Sequence, residues 1–549
     1  MSEVQDIDVL ILGAGINGAG LFRDLCEQGV TCAIIDKGDF GSGTSAAPSR
    51  LIHGGIKYLE TGEFRLVAQS TLERNLLLRN APHYVKPLPT VIPIFSWTKG
   101  IPAAIRTLFG STTAPRSRGA VLMKIGLALY DFYGARARVM PRHRLWSRRR
   151  ALAEIPPLTP RIVAAGTYYD ATVSQPERLV LELVQDGLKA DPESLALNYT
   201  SLLSTDGETL QFRPPEGPDL TLRPRIVVNA AGPWIDRVNA ALGIETQLIG
   251  GTKGSHILLD HPELIRALGG RMIYFEADDG RICLVFDYLG RALVGSTDIR
   301  AADPETVRCE DDEIDYFIAS LRSLLPGLSF DKSQIVATYS GIRPLPRSDG
   351  TAAGLISRDH SAPVNEADGA RRWPVISLVG GKWTTFRGFA EEVADSLLLQ
   401  LKRPRLRSTR ALPIGGADGY PSDHDEWAKQ IADRTGLSRA RLLTLLGRYG
   451  TKAELVAQAE VGTGFIDPDL PWSVGELACI ARTERVVHLT DLVLRRTPLA
   501  LLGHLSNARL ARIGGIAAQA LGWDESRLAA ELEASRHELA TRYGLTLQP

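Results

Sequence analysis

Residues 8–20 read DVLILGAGINGAG, an unbroken apolar run that stops at Gly13, Gly15 and Gly18 and leads into a helical pattern through Gln28. A buried strand turning sharply into a helix has this form. The glycines let the backbone turn tightly and approach a pyrophosphate. The helix N-terminus, with Ile16 and Asn17 in its first turn, meets the charge. Glycine spacing alone is weak, but a second apolar run, TCAIID, follows and ends at Asp36, just before Lys37. An acid there accepts a hydrogen bond from an adenosine ribose. The combination predicts a dinucleotide site.

NAD and FAD both use this unit, and the rest of the chain chooses between them. A nicotinamide dehydrogenase completes a compact doubly wound domain over the next hundred or so residues, whereas here the chain leaves at once into TSAAPSRLIHGG. Much later come VVNAAGPW, carrying Ala231 and Gly232, and SLVGGKWTTF, carrying Gly380 and Gly381. Three separated strand-to-glycine elements suit a long, bent, embedded cofactor, so FAD is expected. The last of them opens an amphipathic helix whose N-terminus can hold the negative charge of a reduced flavin. Gly380 and Gly381 would admit the ring edge, Lys382 would add a formal charge, and Trp383 and Thr384 follow beside it.

With 549 residues the chain exceeds one ordinary core, and 44% hydrophobic with 23% charged residues makes it globular. A formal net charge of zero argues against a nucleic-acid binder, which needs a basic excess. The five cysteines are odd in number, scattered and without a C-x-x-C pair, the usage of a reducing, cytoplasmic setting, and no metal site is expected. The opening MSEVQDIDVL places acids where a secretion signal carries bases. The most apolar long stretch, 119–135, is broken by Lys124 and Asp131 and is too short to span a bilayer. Apolar runs at 9–12, 32–35, 226–228 and 375–379 predict a parallel sheet covered on both faces and assembled from distant segments. A second, antiparallel sheet is predicted from 254–259, 282–288 and 292–296, with YLGR as a hairpin turn. Residues 401–423, rich in Pro, Gly and charge, read as a linker, and helical periodicity beyond it predicts a C-terminal α-helical domain over 424–549.

The stretches GAGINGAG, SRLIHGGIKYLE, EFRLV, NAAGPW, TKGSH, GSTD, SGIRPL, ISRDH and GGKWTTF, in this order, resemble the FAD-dependent glycerol-3-phosphate dehydrogenases, flavoenzymes that pass electrons to membrane quinone. The likeness runs to about residue 400, and the YGT and LRRT segments of the tail are similar to that family's C-terminal domain. The resemblance implies an α/β fold with a Rossmann-like FAD-binding domain of the amino-acid-oxidase type, from segments near 1–100, 155–250 and 335–400. A mixed or antiparallel-sheet substrate domain from about 100–155 and 250–335 is interleaved with it. The loop from Thr44 to His53 is implied to wrap the flavin, with Ser45, Ser49 and Leu51 near its pyrophosphate, ribityl and ring portions. Gly54 and Gly55 then leave room for the ring, and Lys57 and Tyr58 face substrate. Family members carry arginine where this chain has Lys57, which keeps the charge and loses the planar fork.

The substrate implied is glycerol 3-phosphate, a dianion with one secondary alcohol. Arg343 in SGIRPL and Arg358 in ISRDH fit a bidentate phosphate grip, with Lys382 beside them. Oxidation sends a hydride to the flavin while a base takes the hydroxyl proton, a task that suits histidine. His256 in TKGSH is preferred over His53 in LIHGG, and Arg343 would stabilise developing alkoxide. Residues 96–150 hold twelve Lys or Arg against one acid, Asp131, among apolar neighbours. That composition suits a peripheral membrane contact, and the resemblance implies docking on the inner face of the cytoplasmic membrane to reach quinone. Alternatives stay open: an oxidase delivering electrons to oxygen, an amine or amino-acid oxidase of the same fold, and a non-catalytic flavin-bound membrane scaffold. Assembly as a homodimer stays open too.

Overall fold

The computed structural model describes residues 4–59, 63–98, 119–134, 139–301, 303–348, 356 and 358–548. Two large sheets organise the chain, which passes between them repeatedly. In the first, Val4–Leu12 lies parallel to Cys32–Ile35 on one side and to Leu220–Asn229 on the other, with Val375–Ser377 parallel beyond. Val9, Leu10 and Ile11 are wholly buried, because both faces of the sheet are covered. This is why the run is continuously apolar instead of alternating. One face packs on helices Ile16–Cys26, Pro176–Ala190 and Phe386–Leu401.

The register puts Leu12 opposite both Ile35 and Asn229, and Asn229 opposite Ser377. The parallel strands therefore end on one line. Turns that leave them open onto a common crevice, the place where open α/β sheets bind ligands.

The second sheet is mixed and ten-stranded. Ile282–Tyr288 and Arg291–Gly295 form the expected hairpin, and Thr252–Leu259 runs between Arg291–Gly295 and Ile335–Arg343. Leu51–Ile52, Val85–Ile94 and Ala164–Val173 also belong to it, although sequence placed these stretches with the cofactor segments. They are recruited through a parallel pairing of Met272 and Ile273 with Thr90 and Val91. Alternation gives this sheet two distinct faces. Ile257, Leu259, Ile273, Val285 and Val294 pack with helix Asp311–Leu324. Leu258, Met272, Leu284, Phe286 and Tyr339 point the other way, into one core with Leu442, Leu477 and Ile480 of the C-terminal helices. That second face is shared, and the part not covered by the helices lines a cavity.

The stretch read as a linker is a strap. Gln28 Oε1 accepts from the Leu406 amide at 2.7 Å, Arg405 pairs with Asp24 at 2.8 Å, and Ile414 is buried in the first core. No described helix is long and apolar enough to cross a membrane.

Candidate active site

The crevice and the second sheet border one cavity of about 1130 Å³. Three turns meet along it. Gly13 has φ +108°, and a Cβ there would stand 2.6 Å from the Ala230 carbonyl oxygen, so glycine alone lets the first and second turns touch. Asn17 Nδ2 reaches the Gly380 carbonyl at 3.5 Å, which joins the first turn to the third. Gly13, Gly15, Ile16, Asn17, Ala231, Gly232, Gly380, Gly381, Lys382, Trp383 and Thr384 all line the wall. Gly18 does not. A Cβ on it would lie 2.0 Å from the Gly13 carbonyl, so its bareness serves the close helix-to-strand contact.

Helix Ile16–Cys26 starts at Gly15 without a side-chain cap, so amide hydrogens of its first turn are left for a ligand. Ser45 Oγ takes one of them, from Ile16 at 2.9 Å. Asn17 Oδ1 and Trp383 Nε1 are buried without a partner. At the other end of the wall the Asp36 carboxylate accepts from the Ala14 and Gly38 amides at 2.7 and 2.9 Å. Burial nevertheless raises its pKa to about 6. Lys37 lies over the Trp234 ring at 4.4 Å and pairs with Glu305 at 2.6 Å. An uncapped helix, orphaned polar atoms and a carboxylate at ribose distance along the chain fit a dinucleotide cofactor.

The flavin-loop expectations divide. Thr44 donates to the Ile342 carbonyl at 2.6 Å, Ser49 Oγ stands 2.8 Å from His256 Nε2, and both line the cavity with Leu51 and His53. Gly54 does not border it, contrary to its expected place against a ring. Its N–H donates to Tyr130 Oη at 2.9 Å and Asp170 Oδ1 at 3.0 Å, and a Cβ would meet Tyr130 Oη at 2.3 Å. Gly55 does line the wall, yet a Cβ on it would strike the Tyr58 ring at 2.4 Å. Arg50 is turned away altogether, buried against Glu177 at 2.8 Å.

Cations gather beside the Gly380 turn. Arg343 Nη1 stands 3.2 Å from Asp298 Oδ1, and its Nη2 donates to Ser296 Oγ and the Thr297 carbonyl, each at 3.1 Å. Arg358 reaches Asp298 Oδ2 at 3.2 Å. Lys382 Nζ donates to Ser70 Oγ at 2.9 Å and sits 3.8 Å from the Tyr58 ring centroid. Burial and then repulsion from Arg358 lower Arg343 to about 10 and drive Lys382 well below the usual amine range. The Lys57 side chain lies outside the described residues.

Both candidate bases line the cavity as neutral imidazoles. His256 is 1% exposed and stacks on Tyr339 with centroids 4.7 Å apart. Burial, with Arg343 and Arg50 nearby, holds its pKa far below the ordinary imidazole value. Burial, then Lys382 and Arg358, lowers His53 to about 3. Sequence reasoning missed Asp298, which bridges the two arginines. Its signal lay in GSTD, a motif that resembles the family without announcing a cationic partner. The Tyr130, Asp170 and Arg74 cluster that holds Gly54 was also missed.

The chain is similar to known proteins over most of its length. Residues 8–394 match the family described as FAD dependent oxidoreductase, and residues 407–528 match the C-terminal domain of alpha-glycerophosphate oxidase. A Synechocystis protein named glycerol-3-phosphate dehydrogenase is 33% identical over 91% of this chain and 90% of its own length. A Brucella abortus protein named D-erythritol 1-phosphate dehydrogenase is 28% identical over 89% of this chain and 97% of its own length. The solved Bacillus halodurans glycerol-3-phosphate dehydrogenase, complexed with FAD, superposes with a TM-score of 0.75 at 22% identity, covering 99% of this chain and 96% of that one. Since the match takes in both sheets and the helical tail, the chain belongs to the FAD-dependent oxidoreductases, in the family of glycerol-3-phosphate dehydrogenases.

Proposed function

We propose that the chain oxidises sn-glycerol 3-phosphate to dihydroxyacetone phosphate. The observation that carries this reading is the set of Arg343, Arg358 and Lys382 beside the Gly380 turn, with Asp298 shared between the two arginines. Arg343 and Lys382, whose pKa values are lowered by burial and by repulsion from Arg358, are short of negative charge, and a phosphate dianion supplies it. FAD, when bound, is the hydride acceptor. The two arginines and Lys382 grip the phosphate, Tyr58 closes the cavity beside them, and His256 takes the hydroxyl proton, directly or through the Ser49 hydroxyl that it holds. On this reading the chain up to about residue 400 forms interleaved cofactor and substrate domains, followed by the helical one.

Anaerobic titration with glycerol 3-phosphate is expected to bleach the visible flavin absorption, while glycerol at equal concentration leaves it unchanged. Equal bleaching by glycerol would remove the phosphate from the argument. A longer polyol phosphate is a second reading, favoured by the Brucella relative's name and by Lys57 in place of arginine. Faster bleaching by D-erythritol 1-phosphate would select it.

Asp36 adds a pH prediction. A ribose hydroxyl donates to the carboxylate form, so FAD binding requires the proton to leave. Above about pH 6 affinity should be flat, and below it the FAD dissociation constant should rise roughly tenfold per pH unit. The raised value has the opposite sign for the apoprotein. The stability it contributes is full below the unfolded aspartate value and is lost as pH rises through about 6. Flavin fluorescence titrations from pH 4.5 to 8, roughly the span of the shift, measure the first effect, and Asp36→Asn should abolish the slope.

We assign the electrons to quinone at the inner face of the cytoplasmic membrane, with oxygen, yielding hydrogen peroxide, as the competing acceptor. Support comes from helix Ala120–Tyr133, whose outward face exposes Val121, Ile125, Leu129 and Phe132, next to exposed Phe64, Phe95 and Trp97. Residues 99–118 and 135–138 of the basic segment lie outside the described residues. An apolar face flanked by bases suits the headgroup boundary. The enzyme is expected to sediment with anionic vesicles at low ionic strength, and Ile125→Glu with Phe132→Glu should reduce the bound fraction about tenfold without slowing bleaching by substrate. Full retention in the supernatant by the wild-type protein would count against the membrane.

A further inference from the structure

The C-terminal helices carry a second set of buried charges that the reaction does not use. They meet the cofactor side at several residues, among them Arg178, Glu182 and Asp39. Asp39 has no exposed surface, and its side chain points away from the cavity. Arg495 Nε donates to its Oδ2 at 2.7 Å, and Arg496 holds both oxygens, at 2.7 and 2.9 Å. Asn198 Nδ2 adds a fourth bond at 3.1 Å. Asp491 balances the second arginine. It pairs with Arg495 and accepts from Tyr199 Oη at 2.5 Å. Burial alone would raise the Asp39 pKa, but Arg496 and Arg495 together draw it down to about 2.

Two neighbouring side chains on an α-helix diverge by about 100° and would not normally grip one carboxylate. Residues Asp491–Arg496 form a π-turn, closed by the Thr497 amide on the Leu492 carbonyl at 2.9 Å. The wider turn brings Arg495 and Arg496 to the same side, and such turns recur at functional sites. Asp39 sits in a short connection whose backbone is tied to its surroundings on both sides of it, while Asp39 is its one side chain held by the helical segment's arginines. The Gly41 amide donates to the Ala14 carbonyl at 2.9 Å, Tyr199 N to the Gly38 carbonyl at 2.9 Å, and Thr200 N to the Asp36 carbonyl at 2.9 Å. Asp36, Lys37 and Gly38 of that connection line the cavity.

Buried ion pairs are weak evidence for stability, since apolar side chains of similar volume often do as well. Here the helical segment already shares an extensive apolar core with the second sheet. What the charges add is direction, a fixed place for one loop. We propose that the C-terminal helical segment sets FAD retention, with Arg495 and Arg496 acting as positioning residues that hold Asp39 and thereby the Asp36–Lys37–Gly38 edge of the cofactor cavity. The proposal concerns FAD alone and stands whichever alcohol is the substrate.

The test compares two lysine substitutions in the full-length enzyme. Arg496→Lys keeps the charge and loses the fork on Asp39. Arg441→Lys makes the same change at a buried arginine of the same segment that pairs with Glu460 and Glu476, away from the cofactor. Apoprotein is titrated with FAD by fluorescence quenching, and thermal midpoints are measured without FAD. Arg496→Lys is expected to raise the FAD dissociation constant about tenfold or more, while Arg441→Lys changes it by less than about twofold. At saturating FAD, substrate should bleach both at wild-type rate within about twofold. Equal rises in the two variants, or no rise in Arg496→Lys, overturn the proposal. If Arg496→Lys does not fold, Tyr199→Phe takes its place, removing one hydroxyl from Asp491, with an expected rise of about threefold. An unchanged constant in that variant overturns it equally.

Discussion

Arg343→Lys is expected to lower kcat/KM for glycerol 3-phosphate by about a hundredfold, and Arg343→Ala by about a thousandfold, with FAD still bound. The guanidinium is fixed by three acceptors at 3.1 to 3.2 Å, from Asp298, Ser296 and the Thr297 carbonyl. A lysine carries the charge but offers no planar fork, so it would have to leave Asp298 in order to reach a phosphate or alkoxide oxygen. The arginine also lies flat on Gly254, where a Cβ would stand 2.1 Å from Nη2. Gly254→Ala therefore displaces the guanidinium without deleting it, and a loss approaching that of Arg343→Lys is expected. Steady-state kinetics with parallel flavin quantitation check both. Wild-type kcat/KM in Gly254→Ala with full FAD would show that the position of Arg343 does not matter to the reaction.

The cofactor half of this site was legible because its signals are local. A strand, three glycines and a helix fall within 8–26, and Asp36 follows at the end of the next strand, so spacing along the chain stands in for distance in space. The parallel register then does the rest, by ending the separate strands on one line. What escaped is what only tertiary pairing creates. Gly54 reads as a gap left for a ring, yet it is filled by Tyr130, 76 residues away on a helix whose apolar pattern gives no hint of the contact. Asp298 reads as one more polar turn residue until Arg343 and Arg358, 45 and 60 residues later, fold onto it. The C-terminal helices announced their own periodicity. Their shared core with the second sheet, and the reach of Arg495 and Arg496 to Asp39, have no periodic signature.

His256→Ala should slow anaerobic flavin bleaching by glycerol 3-phosphate about 10²- to 10⁴-fold, while binding of dihydroxyacetone phosphate changes by less than about threefold. The ring is neutral, bonded through Nε2 to Ser49 at 2.8 Å, and sits among cations that keep it unprotonated until an anion arrives. A bound phosphate offsets Arg343 and raises the imidazole toward the range where a base is effective. The rate should therefore fall on the acid side of the enzyme–substrate profile, and that limb should vanish in His256→Ala. Deleting a buried ring also leaves a hole against Tyr339, so loss of packing has to be separated from loss of a base. Gly295 provides the means. A Cβ there would stand 2.2 Å from His256 Cδ2 and 2.8 Å from Nε2, so Gly295→Ala should push an intact imidazole off Ser49 and slow bleaching by at least about tenfold. His256→Phe refills the hole without a nitrogen. If packing is all that matters, His256→Phe recovers the rate; if the nitrogen is the base, it stays as slow as alanine, and a fast His256→Phe would move the proton to His53, the other imidazole on the cavity wall.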